Sequence, residues 1–185
     1  METNVIIYLV EFAIACVLVG AAYYIGYRFF PSIRVANMEK KVTDYFTNQG
    51  YEWKKEEGIL NVKRAGTNFR IFLKGEKDML STSLWIQYAT QMDEDMSKMH
   101  WAGQTVMVNV LNDRHPSLNV SMNIEDHILW AHYRADIHSQ NEFVYHFNGA
   151  YHEMQSLMSD CGELLPKLQT DFPVQAKQQR PIGFC

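Results

Sequence analysis

From Val5 to Tyr27 the chain is apolar without a period, broken by a single charge at Glu11. A helix of that length spans roughly 35 Å, enough to cross a bilayer core with some tilt. After Pro31 the pattern changes. Val35, Met38, Val42, Tyr45 and Phe46 recur at steps of three and four, which predicts an amphipathic helix with Ser32 as its N-cap and Gly50 as its stop. Three strand-like runs follow: Ile59 to Ala65, Asn68 to Lys74 and Leu80 to Ala89. The turns between them are Ala65-Gly66-Thr67-Asn68 and Gly75-Glu76-Lys77-Asp78. Met96 to Leu111 predicts a helix with Met99, Ala102, Val106 and Val110 on its inner face. Asp93, Glu94 and Asp95 near its start favour the helix dipole. Asn112-Asp113-Arg114-His115-Pro116 stops it.

Leu118, Val120, Met122 and Ile124 then alternate with Asn119, Ser121 and Asn123, the period of a half-buried strand. Glu125-Asp126 turns the chain into a further strand, Ile128 to Ile137. Ser139-Gln140-Asn141-Glu142 caps a last helix whose buried stripe is Phe143, Phe147, Ala150, Met154, Leu157, Met158, Cys161 and Leu165. Pro166 is expected to bend or end it. The organisation read from this is an anchor over residues 1–30, an α+β domain over 32–172 and a flexible C-terminal tail over 173–185. The domain's order is α-β-β-β-α-β-β-α, and its turn lengths make the sheet antiparallel.

Composition changes one part of this picture. The mean hydropathy of −0.26 suggests an ordinary soluble chain. It averages two unlike parts, because 23 of the first 30 residues are hydrophobic against 47% for the whole chain. The net charge is −4, from 17 basic and 21 acidic residues. Nucleic-acid binding needs a basic excess gathered on one face, so no nucleic-acid partner is expected. The runs Lys54-Lys55-Glu56-Glu57 and Lys74 to Asp78 read as solvated turns. Cys16, Cys161 and Cys185 are odd in number and scattered, which is no disulfide framework and fits a reducing compartment.

The apolar segment reads as a membrane anchor rather than a cleaved signal peptide. A signal peptide begins with basic residues and has a shorter apolar stretch, whereas this chain begins Met-Glu-Thr-Asn. Ala13-Ile14-Ala15-Cys16 resembles a lipoprotein cleavage site, but the apolar run continues past it. Tyr23, Tyr24, Tyr27, Phe29 and Phe30 form an aromatic belt. Arg28, Arg34, Lys40 and Lys41 follow, and no Lys or Arg precedes the segment. The positive-inside rule then expects a single pass through the inner (cytoplasmic) membrane, with the N-terminus outside and the domain cytoplasmic. Glu11, Ala15, Ala22 and Gly26 share nearly one helical face. Small residues let helices approach closely. Two readings stand. Either this face is a helix interface, or Glu11 lies near the outer membrane surface, protonated or snorkelling.

Catalytic signatures are missing. No GxxxxGK, GxGxxG or GxSxG motif occurs, and His152-Glu153-Met154-Gln155-Ser156 starts like a zinc-protease helix but has Ser156 where the second His belongs. His127, His132 and His138 are spaced too widely to ligate one ion, and no Cys pairs with any of them at zinc spacing. The expectation is no enzyme, no metal, no cofactor and no small-molecule substrate.

What remains is surface. Phe69, Ile71 and Leu73, then Leu84, Ile86 and Tyr88, then Leu129, Ala131, Tyr133 and Ala135 form the aliphatic side of three strands. Their other side carries Phe72, Trp85 and Trp130 with Arg70, His132 and Arg134. Aromatics with arginine are the composition of binding hot spots. The alternative is that the middle helix covers this side and the tryptophans are simply buried.

The element order, the run Val108-Asn109-Val110-Leu111-Asn112 before His115-Pro116, the strand pair after it and the helix ending Leu164-Leu165-Pro166-Lys167-Leu168 together resemble the YbjN-like domains. These share the type III secretion chaperone-like fold, and the resemblance covers Ser32 to Phe172. It implies a non-enzymatic domain that binds proteins or regulates, often as a dimer. The chain departs from the secretion chaperones in its membrane anchor and in lacking their strongly acidic balance. The expected function is a membrane-anchored protein-binding or regulatory module, its partner another protein, a second copy, or both. The alternative is a structural subunit of a bacterial membrane or secretion complex, held by its transmembrane helix.

Overall fold

A computed structural model of the chain describes residues 2–75 and 81–174. Helix α1, Glu2–Phe29, is followed after one residue by α2, Pro31–Asn48. Strands β1 (Glu52–Glu56), β2 (Ile59–Arg64), β3 (Thr67–Gly75) and β4 (Thr82–Gln91) come next. A single turn α3 (Asp93–Met96) leads to α4 (Trp101–Arg114), strands β5 (Leu118–Asn123) and β6 (Ile128–Ile137), and the long helix α5 (Gln140–Asp171). The strands form one antiparallel sheet in the order β1-β2-β3-β4-β6-β5. The class is α+β, and the expected order is present with one further strand, β1.

Local chemistry accounts for most boundaries. Pro31 takes the first turn of α2, where its fixed φ and missing N–H suit a helix start. Phe30 is therefore the cap, and Ser32 lies inside the helix. The β1–β2 and β2–β3 links are two-residue turns with positive φ at both positions, Glu57 at 51° with Gly58 at 81°, and Ala65 at 48° with Gly66 at 82°. That is the hairpin turn matching the twist of the strands. α4 starts later than its apolar spacing suggests, because His100 caps it by accepting from Ala102 N–H at 3.3 Å. Its buried residues are Gly103, Gln104, Met107 and Leu111. The hydroxyl of Ser139 caps α5, accepting from Glu142 N–H at 3.2 Å. Pro166 does not end α5, which continues to Asp171. Pro166 and the Gly162 whose carbonyl loses a donor are both exposed, so that residue is open to solvent.

The core lies between one side of the sheet and α2, α4 and α5. Val42 and Phe46 of α2, Met107 and Leu111 of α4, and Phe143, Phe147, Ala150 and Leu157 of α5 join Leu60, Ile71, Leu84, Ile86 and Ala131 in one buried cluster. Phe147 anchors it, with ring centroids 5.5 Å from Phe46, 5.7 Å from Phe143 and 5.9 Å from Phe69. The His115-Pro116 junction is clamped to α5. The buried imidazole of His115 lies 3.2 Å from Glu153 Oε2 on its Nδ1 side and 3.2 Å from Asp160 Oδ2 on its Nε2 side.

The N-terminal helix makes a different kind of contact. Tyr8–Tyr27 is long and apolar enough to cross a membrane, and none of it is buried inside the molecule. Only its end is tied down. The Arg34 guanidinium donates to the Tyr27 carbonyl at 2.9 Å, and the Asn37 amide to the Tyr23 hydroxyl at 3.3 Å. Gly75 at the end of β3 abuts this elbow, and a Cβ there would come within 2.8 Å of Pro31. The expected turn at Glu76 to Asp78 and the tail from Gln175, including Cys185, lie outside the described residues.

Candidate functional site

Strand alternation puts every second side chain of β3, β4 and β6 on the side away from the helices. Arg70, Phe72 and Lys74 point there from β3, Trp85, Gln87 and Ala89 from β4, and Trp130, His132 and Arg134 from β6. The inward neighbours Phe69, Ile71, Leu84, Ile86, Leu129 and Ala131 are all buried. Register then sets the rows. Phe72 pairs with Trp85 and Trp85 with Arg134. Arg70 pairs with Gln87 and Gln87 with His132. Ala89 pairs with Trp130. The six residues singled out from the sequence thus lie together on three adjacent strands.

The geometry within the rows is specific. The Arg134 guanidinium lies over the Trp85 ring at 4.7 Å, and that of Arg70 over Phe72 at 5.7 Å. Such contacts hold the cations on aromatic faces. The rings of Trp130 and His132 are stacked at 6.1 Å. Burial pushes the His132 imidazole below the usual histidine range. The neutral ring can then accept at Nδ1 from the Gln87 amide, 3.1 Å away. Ser83 donates to Asp136 Oδ1 at 2.7 Å. A depression of about 360 Å³ is floored by Phe72, Trp85 and Gln87 and rimmed by Lys74 and Gly58.

α4 does not cover this surface, because its buried residues belong to the cluster on the opposite side of the sheet. Among the described residues nothing else lies on it. Phe72, Trp85 and Trp130 are half-buried by their strand neighbours, and Arg70, Arg134 and Ala89 are exposed. The two-residue period puts Gln87 on this side beside His132, yet the candidate site residues named from the sequence omitted it. They also omitted Ser83, whose bond to Asp136 has no sequence signal.

The other singled-out residues are not gathered into a site. Glu11, Ala15 and Ala22 are exposed along α1, while Gly26 is half-buried at the elbow near Ile33. The histidines are dispersed among separate contacts: His146 Nδ1 lies 2.8 Å from the Tyr133 hydroxyl and His138 Nδ1 3.1 Å from Glu142. Among the described residues no three metal-ligating side chains converge. Burial pushes the Cys161 thiol up to about 12, which makes it a poor nucleophile.

No family model and no curated protein matches the chain. Among solved structures it is similar to the crystal structure of YbjN from E. coli, described as a candidate transcription regulator, at 6% identity and a TM-score of 0.47, over 74% of this chain and 95% of that one.

Proposed function

We propose that this chain is a membrane-anchored, non-catalytic module that binds a protein partner through the outer side of β3, β4 and β6. Helix α1 is its single-pass anchor, and the α+β domain lies on the cytoplasmic side. The carrying observation is that Phe72, Trp85 and Trp130 lie half-buried on a sheet surface with no covering layer among the described residues. A sheet side this aromatic is ordinarily covered by packed secondary structure. Left open and mixed with arginine, it has the composition of interface hot spots. Exposure of every residue from 8 to 25 supports the anchor, since a core helix of a soluble domain would be packed. Lys40 and Lys41 just after the elbow support the cytoplasmic side.

The test is capture from membranes in mild detergent with the full chain as bait. Proteins held by the wild-type chain should be lost with Trp85→Ala/Trp130→Ala and retained with Glu11→Leu. Retention by the tryptophan variant and loss with Glu11→Leu would instead support the structural-subunit reading.

A further inference from the structure

The outer side of β3, β4 and β6 restricts what it can hold. All three strands are paired on both flanks, so their backbone groups are engaged in the ladder and the surface offers side chains alone. An extended segment pressed onto it would leave its own N–H and C=O groups unpaired, at a cost that disfavours the complex. Extended segments add at sheet edges instead. The edge nearest Trp130 is closed over Leu118 and Val120. On β5, the Val120 N–H donates to Asn112 Oδ1 at 2.8 Å, and the Val120 carbonyl accepts from Asn112 Nδ2 at 2.9 Å. The Leu118 N–H donates to the His115 carbonyl at 2.9 Å. A helix, by contrast, arrives with its backbone already satisfied.

Charge selects among helices. Among the described residues no carboxylate pairs with Arg70 or Arg134. The one acidic side chain on this side of the three strands, Asp136, accepts from Ser83, and Glu56 and Glu57 of the β1–β2 hairpin line a depression with Arg70 without forming an ion pair to it. The chain's own segment from Gln175 brings Lys177 and Arg180 and no acid. A second copy laid face to face would set one net-positive surface, with Arg70, Lys74 and Arg134 against Asp136 alone, on another. Spacing gives the length. Trp85 and the Ala89 opposite Trp130 are four residues apart on β4, about 13 Å, which matches two to three helical turns.

Resting on the protein-binding reading above, we propose that the occupant is an amphipathic helix of a partner protein. Its apolar stripe covers Phe72, Trp85 and Trp130, and Asp or Glu on its flanks pair with Arg70 and Arg134.

The experiment pans a phage-displayed library of helices, with a fixed leucine stripe and randomised flanks, against the full chain in mild detergent. The recovered helices should be enriched in Asp and Glu at the flanks. As free peptides they should bind the folded Arg70→Glu/Arg134→Glu chain about tenfold more weakly, equivalent to ~1.4 kcal/mol. Panning on that variant should recover Lys and Arg flanks instead. Recovery of no helices, flanks without charge preference, or equal binding to Trp85→Ala/Trp130→Ala overturns the proposal. If the native partner is still lost with the tryptophan variant while the helices fail, the acidic-helix proposal alone falls. If oligo-dT or phosphatidylglycerol vesicles occupy the surface and no protein does, the protein-binding reading falls with it.

Discussion

His132 stands between Trp130 and Gln87 on the open surface, and burial disfavours its charged form. The folded chain therefore binds fewer protons at this site than the unfolded chain, whose histidine titrates near ~6.5. This contribution to stability is complete above that pH and declines as pH falls through it toward the lower folded value. Urea midpoints at pH 7.5 and pH 5.5 should show a smaller drop for His132→Gln than for the wild-type chain. An equal drop would place the acid sensitivity elsewhere. Single residues were legible in the sequence where their action is local. Ser139 announces itself as a cap because its acceptor reaches only the next turn. Ser32 misled, because the helix starts at Pro31 with Phe30 as its cap, two residues earlier, and the register of its first turn is set at the elbow.

At the scale of elements, the two-residue period alone sorts the core and outer sides of β3, β4 and β6. Strand β1 was hidden because all five of its residues are exposed and four of them are charged, so it carries no alternation of buried and open positions. The Glu57-Gly58 turn after it was the usable signal, having the form of a hairpin connection. The covering of the outer side was not legible at all, since it depends on which side of the sheet α4 crosses to. Asn112 shows how tertiary contact finishes an element. Its amide both donates to and accepts from Val120, in place of a neighbouring strand. Asn112→Leu leaves those two groups unpaired and should cost ~1–3 kcal/mol in urea unfolding. It also opens the β5 edge, so sedimentation should show concentration-dependent association absent from the wild-type chain.

At the scale of the whole molecule, the elbow couples α1 to the domain. The bonds from Arg34 to Tyr27 and from Asn37 to Tyr23, with Gly75 against Pro31, tie the end of α1 to the start of α2 and the end of β3. With α1 as the proposed anchor, this elbow would hold the open sheet surface at a set angle to the membrane rather than on a loose tether. The orientation is testable in a Cys16→Ser/Cys185→Ser background. A membrane-impermeant maleimide added to intact cells should label Asn4→Cys and leave the exposed Ser117→Cys unlabelled until the cells are opened. Labelling of Ser117→Cys in intact cells would put the domain outside.

The central claim is that the surface of β3, β4 and β6 is where a partner protein sits. Site-specific photocrosslinking in cells tests it most directly, with a benzophenone amino acid introduced at Gln87 or, as control, at the exposed Gln155 of α5. A discrete crosslinked protein is expected from position 87 and none from position 155. Crosslinks from position 155 with none from position 87 would contradict it.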